Sequence, residues 1–259
     1  MIFLSFDIEE FDVPRETNPS YNVMNEGMQI SIYGTERILE ILNREKVTAT
    51  FFCTANFALK APGLIRKIKD KGHEIASHGY DHWDVKSDDA QASKKVLEEI
   101  VGEIIVGYRQ PRMFEIGASI LQENQYLYNA SLNPTYIPGR YMRLFDKRLP
   151  YKENAILNIP ASVTPVLRIP LFWAALHIFP TWLYKALCFW TIRIDRHFNT
   201  YFHPWEFYPL KDLKGIDVSP IILKNSGDNL CYRLTEVIRA FKRKGNSFGT
   251  YRQYYDLHQ

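Results

Sequence analysis

Residues 47–84 read VTATFFCTANFALKAPGLIRKIKDKGHEIASHGYDHWD, and this stretch decides the fold. Residues 47–53 are a β-branched and aromatic run that fits a buried strand. Residues 56–71 then carry helical spacing, with Pro62 near a break or a first turn, and Gly72 stops the helix. Residues 73–77 begin a second strand. A strand, a helix and a strand joined by short links make a parallel βα unit. The alternation continues outward in both directions. Residues 2–6 are a short apolar run, and residues 35–46 align Ile38, Leu39, Ile41 and Leu42 on one helical stripe. Downstream, Ser87 or Asp88 caps a helix to about residue 103, residues 104–108 form a strand, and residues 116–124 a short helix. Residues 126–128, 156–159 and 200–202 are further strands, and residues 230–244 a helix ending at Gly245. Residues 133–150, rich in Pro, Gly, Tyr and Arg, read as a long surface or lid-like loop. The prediction is an α/β sheet or barrel in a single domain, residues 1–259.

Composition sets the bounds. With 32 Lys+Arg against 29 Asp+Glu the net charge is +3, and the chain is 46% hydrophobic and 24% charged. Those values describe an ordinary soluble globular protein, exclude a disordered or fibrous one, and give no reason to expect nucleic acid. Cys53, Cys188 and Cys231 are odd in number and widely spaced, which argues against disulfides or a cysteine zinc site and for a reducing compartment. The start, MIFLSFDIEE, lacks the basic and apolar regions of a signal peptide, so a cytoplasmic location is expected. Residues 163–194 are too interrupted by Pro, Arg, Lys and His to span a membrane. The unusual quantity is the aromatic content of 14%, and 13 of those residues fall within the 44 from 165 to 208.

Four segments carry chemistry, each where a predicted strand runs out. His78 and His82 stand four apart, so one helical turn would point both imidazoles at one metal ion. Asp7 and Glu9 in SFDIEE lie at an i, i+2 spacing, on one side of an extended chain. Arg109, in GYRQPRMF, offers a guanidinium that can orient a carboxylate, and Pro111 stiffens its loop. His203 ends the strand in NTYFHPWEF, with Trp205 beside it. A parallel barrel gathers all four on one rim. Together they supply what metal-assisted hydrolysis needs: metal ligands, a base for water and an acid for the leaving group.

With these motifs in this order, the chain resembles the polysaccharide deacetylases of the NodB-homology type, carbohydrate esterase family four. The resemblance runs from Phe3 to about Tyr208, and the HPWE form is similar to a bacterial subgroup associated with exopolysaccharide and lipid-linked sugar biosynthesis. It implies a distorted (β/α) barrel of about seven strands. It also implies a hydrolase of carbon–nitrogen bonds other than peptides, removing acetate from an N-acetylated sugar or glycan. Asp7 falls on the catalytic base, Arg109 on the residue that orients it, and His203 on the general acid. His78 and His82 fall on the metal ligands of one divalent ion, zinc by ligand type. Pro111, Arg112 and Trp205 are expected beside the substrate.

The chain also departs from that pattern. Ile8 replaces the usual second Asp, so Glu9 is the candidate third ligand, with Glu10 as fallback. Arg112 stands where an aromatic is usual. Asn129, in YNASLNP, is the nearest match to the Asp that tunes the acid histidine. Two rival readings stand beside this one: an allantoinase-like hydrolase of a small cyclic amide from the same superfamily, and, on the evidence of Ile8 and Asn129, a non-catalytic carbohydrate-binding descendant. The aromatic block reads as core packing, as a wall for sugar rings, or as a surface touching a membrane, flanked by Arg168, Lys185, Arg193 and Arg196.

Overall fold

The computed structural model describes residues 1–16, 24–138, 141–213, 216 and 218–258. In chain order the elements are β1 (Ile2–Ile8), α1 (Met24–Glu45), β2 (Thr50–Cys53), α2 (Ala55–Lys60), α3 (Pro62–Asp70), β3 (Glu74–Ser77), α4 (Asp89–Val101), β4 (Gly107–Tyr108), α5 (Ala118–Glu123) and β5 (Tyr128–Asn129). Then come β6 (Tyr136–Ile137), β7 (Tyr141–Met142), β8 (Tyr151–Glu153), β9 (Ile156–Asn158), α6 (Trp173–Ile178), α7 (Thr181–Asp195), β10 (Phe198–Phe202), α8 (Pro220–Asn225), α9 (Asp228–Arg243), β11 (Phe248–Gly249) and α10 (Tyr251–Asp256).

The main sheet runs β10-β1-β2-β3-β4-β5-β9-β8, with β11 also on β1. Its path is parallel from β10 to β9, which makes seven parallel strands, and only β8 is antiparallel. The sheet curls strongly into a half-barrel. Where β9 and β10 fail to pair, the segment after β9 ties the two sides together. Asn199 Nδ2 donates to the carbonyl of Pro160 (2.7 Å), and its main-chain N donates to Ser162 Oγ (2.9 Å).

Period-2 alternation along β1 decides what faces where. Leu4, Phe6 and Ile8 point to the helix layer and join the largest core cluster, with Leu42, Phe57, Phe202 and Phe241. Phe3 points into the barrel, against Phe52, Tyr128 and Tyr251. Each such fully buried aromatic or aliphatic side chain contributes about 1.5–3 kcal/mol. Asp7 lies on the inward side with Phe3, and this places its carboxylate within the barrel mouth.

Some element boundaries differ from the sequence reading. The first helix begins at Met24 rather than near residue 35. The helix expected over 56–71 is two helices that break at Ala61, ahead of Pro62, because proline fits the first turn of a new helix. Within the expected loop 133–150, β6 and β7 pair as an antiparallel hairpin; residues 139 and 140 lie outside the described residues. The three cysteines are buried and free. Among the described residues, no helix is long and apolar enough to cross a membrane.

Candidate active site

The parallel register explains why distant residues meet. Ile8 is level with Cys53, Cys53 with Ser77, and Ser77 with Tyr108. Glu9, His78 and Arg109 are each the next residue along. On the other flank Phe202 is level with Phe6, so His203 emerges beside Asp7.

Glu9, His78 and His82 converge, with one ligand atom from each lying within 4.8 Å of the others. Glu9 Oε2 faces His82 Nε2 at 3.2 Å and His78 Nε2 at 3.4 Å. That oxygen is buried and makes no hydrogen bond. A buried carboxylate oxygen without a partner costs several kcal/mol unless something charged satisfies it. The rear nitrogens of both imidazoles are committed instead: His78 Nδ1 to the carbonyl of Arg109 (2.8 Å) and His82 Nδ1 to Asp12 Oδ2 (3.0 Å). Backing of this kind fixes the tautomer that leaves Nε2 free to coordinate. One carboxylate and two imidazoles, oriented in this way, fit a divalent ion.

Burial alone would push the Glu9 carboxyl up, but His82, His78 and His203 outweigh it and hold it at about 2. His82 shows the reverse balance. Burial lowers it, and Glu9 with Asp12 raises it to about 9. The chain between the two histidines is a bent loop, not the helical turn that the spacing suggested. Gly79 makes the bend at φ +69°, and a Cβ there would come within 2.9 Å of Pro111.

Beside this triad, Arg109 donates from Nη1 to Asp7 Oδ1 (2.5 Å). Arg109 is 1% exposed. Its other donors bind the carbonyl of Ala130 (3.1 Å), Ser5 Oγ (3.0 Å) and Tyr251 OH (3.3 Å), and the guanidinium lies 4.0 Å over the Phe52 ring. An arginine held on every side fixes the carboxylate it touches.

His203 lies on the opposite flank. Its Nδ1 is 2.9 Å from Glu206 Oε1, which also accepts from its main-chain N (2.6 Å). Glu206 Oε2 is 2.8 Å from His177 Nε2, and both Glu206 and His177 are buried. Burial lowers the affinity of His203 for its proton, but Glu206, Glu9 and Asp7 overcome it and raise the pKa. Glu206 is held ionised, since His177 and His203 outweigh the upward push of its burial.

Residues 31–130 match the family model for polysaccharide deacetylase. Over that stretch, under half of its length, the chain is similar to polysaccharide deacetylases. Peptidoglycan-N-acetylmuramic acid deacetylase PdaA of Bacillus subtilis (strain 168) is 33% identical over 70 residues, 27% of this chain and 27% of that protein. The chain therefore aligns with about a quarter of that relative's length. A probable polysaccharide deacetylase from Pseudomonas aeruginosa PAO1 superposes with a TM-score of 0.65 at 16% identity, covering 99% of this chain and 89% of that one. PuuE allantoinase superposes at 0.63, also at 16% identity, covering 98% and 88%. At such identities the likeness concerns the fold. Both solved structures share the curled barrel.

Of the site residues, His78, His82 and Arg109 lie inside the matched stretch, while Asp7, Glu9 and His203 lie outside and join them through the sheet. Glu10 is a surface residue paired with Lys60 (2.5 Å), so Glu9 alone reaches the two imidazoles. Ile8 points to the helix layer, where no ligand could reach the site. Asn129 does not touch His203; it binds Asn158 and Ser131. The carboxylate beside His203 is that of Glu206 instead.

Two substrate-side expectations need correction. Trp205 is only 2% exposed and stacks on the His203 ring (5.2 Å, 16°), so it backs the histidine and offers no face to a sugar. Pro111 is likewise buried, packed against the Gly79 turn. Arg112 lies 4.2 Å over the Trp83 ring, with a buried Nη1 that has no partner.

The sequence reading missed Asp12, Glu206 and His177. Glu206 had a signal, since it is three residues after His203 in a tight turn. Asp12 follows the DIEE run closely enough to have been considered. His177, alone in an apolar segment, had none.

Proposed function

We propose that this protein is a metal-dependent N-deacetylase that releases acetate from an N-acetylated sugar used in polysaccharide or lipid-linked glycan biosynthesis. The observation that carries the proposal is a buried Glu9 oxygen, without a hydrogen bond, that converges with the Nε2 atoms of two backed imidazoles beside an arginine-held aspartate. Glu9 Oε2, His78 Nε2 and His82 Nε2 are the atoms that would hold the metal, zinc by donor set. When bound, that metal supplies Lewis acidity to the N-acetyl carbonyl.

The remaining work falls to side chains. Asp7 takes the proton of the attacking water on Oδ2, since Arg109 occupies Oδ1. Water oxygen joins the carbonyl carbon, the carbon–nitrogen bond breaks, and His203 Nε2 delivers a proton to the departing amine. Glu206 keeps that imidazole charged and aimed from behind. Arg112, with a free donor beside His82, is assigned to a polar group of the sugar.

Two measurements test this reading. Protein equilibrated with zinc should retain one ion per chain and release acetate from at least one of a panel of N-acetylated sugars, and Asp7→Asn should remove the activity. A chain that retains no metal, or full activity in Asp7→Asn, would overturn it. Retained metal with turnover of a cyclic amide but no acetate would favour the allantoinase-like alternative.

A further inference from the structure

The aromatic block divides between two environments. Phe172, Tyr184, Phe198, Phe202 and Trp205 are core, whereas Trp182 is 69% and Trp190 37% exposed. Both belong to α7, whose buried residues are Tyr184, Cys188 and Thr191. At 100° per residue, Trp182, Ala186, Trp190 and Arg193 line the opposite, outward face. Leu183 and Ile194 border it on one side, and Lys185 and Arg196 on the other. Ile194 is 54% exposed, as is Ile178 just before the helix. A surface helix ordinarily presents charged and polar residues to water. This one presents tryptophan, leucine, alanine and isoleucine, interrupted only by cations.

The charges are one-sided. Asp195 is the sole acid in α7, and both its oxygens are taken by Arg148 (2.5 and 2.6 Å). Lys185, Arg193 and Arg196 pair with no carboxylate among the described residues.

We propose that the outward face of α7 docks on an anionic lipid bilayer, lying in the plane of the headgroups. Tryptophan suits that boundary, because its ring is apolar and its N–H finds a polar partner. Each Lys or Arg near an anionic surface strengthens binding about fivefold, so three supply on the order of a hundredfold. A second copy of the chain fits less well. A two-fold contact on this face would set cations against cations, with no acid to receive them. A helix of this length is also about 22 Å long and offers roughly 200 Å², well under the roughly 800 Å² per partner of a stable interface. The proposal is independent of the reaction assigned to the site. It does have a spatial consequence: α6, which ends four residues before Trp182, carries Trp173 5.6 Å from the His203 ring.

The test is sedimentation of the full chain with vesicles of phosphatidylcholine alone and of phosphatidylcholine mixed with phosphatidylglycerol. Binding is expected only to the mixed vesicles, with a blue shift in tryptophan emission and loss at high salt. Trp182→Ser/Trp190→Ser should weaken it at least tenfold, and Lys185→Gln/Arg193→Gln about 25-fold. Circular dichroism should be unchanged in both, since these side chains lie outside the core. Absence of binding to either vesicle, or wild-type binding by both variants, overturns the proposal. So does a concentration-dependent dimer abolished by the tryptophan changes, which would make the face a self-association surface.

Discussion

Replacing Glu206 with glutamine removes one negative charge from behind His203 and leaves the shape in place. The amide oxygen can still accept from His203, and the amide nitrogen can donate to His177, whose tautomer is free to change because its Nδ1 is buried without a partner. What is lost is charge alone. A carboxylate at 2.9 Å in a buried setting favours the imidazolium, and so raises the histidine against the downward push of its burial. The sign follows from the required form. In the proposed mechanism His203 must be protonated to serve the leaving amine, so activity is expected below its pKa and is lost as pH rises through it. Glu206→Gln should therefore move the basic limb of the pH–kcat profile toward acid. Above both values the protonated fraction falls tenfold per unit. The imidazole Cε1 proton of His203, followed by NMR, should report the same displacement without any turnover. The variant should also lose part of a stability difference that is complete below the ordinary histidine pKa and disappears as pH rises through the raised one. An unmoved basic limb and an unmoved His203 titration, in a variant with intact metal content, would refute the assigned role.

Other outcomes follow from the same geometry. Because His82 is raised to about 9, the metal-free protein carries a proton there at neutral pH, so metal affinity should rise as pH increases toward 9 and then level off; calorimetry in two buffers would detect the released proton. Glu9→Gln should abolish tight metal binding, while Glu10→Gln, which loses only a surface pair with Lys60, should leave it unchanged in the same titration. Asp12→Asn should weaken metal binding by about 10–100-fold, because His82 loses the carboxylate that orients it. Gly34→Ala places a Cβ 1.8 Å from the Pro204 carbonyl, forcing α1 off the turn that carries His203 and Glu206. A loss of about 1–3 kcal/mol, or on the order of 5 °C in Tm, is expected along with reduced activity.

What could be read directly from the sequence was periodic or local. The strand–helix alternation of residues 47–84 and the i, i+2 pairing of Asp7 with Glu9 both follow from fixed geometric repeats, and both appear in the structure. The same alternation explains Ile8: one residue from the inward-facing Glu9, it must point to the helices. The turn between His78 and His82 was harder, because a four-residue spacing is compatible with a helix or a bent loop. Gly79 and Pro111, distant in sequence, select the loop. Contacts with no local signature were out of reach. His177 lies 29 residues from Glu206, and only the packing of α6 against the turn after β10 brings them to 2.8 Å. Trp205 misled for a related reason: its position next to His203 suggested a sugar contact, whereas tertiary packing inserts its ring beneath the imidazole.

Arg109 contributes to the site twice, through its guanidinium on Asp7 and through its main-chain oxygen on His78. Mutagenesis can separate the two contributions only in one direction. Trimming the side chain would free Asp7 yet spare the support of His78, but nothing that displaces the main chain at this position can disturb His78 and spare Asp7. An insertion or deletion between residues 109 and 111 would thus mistune both halves of the chemistry in one event. Drift in that loop is all-or-none for function, even where the barrel tolerates it for folding.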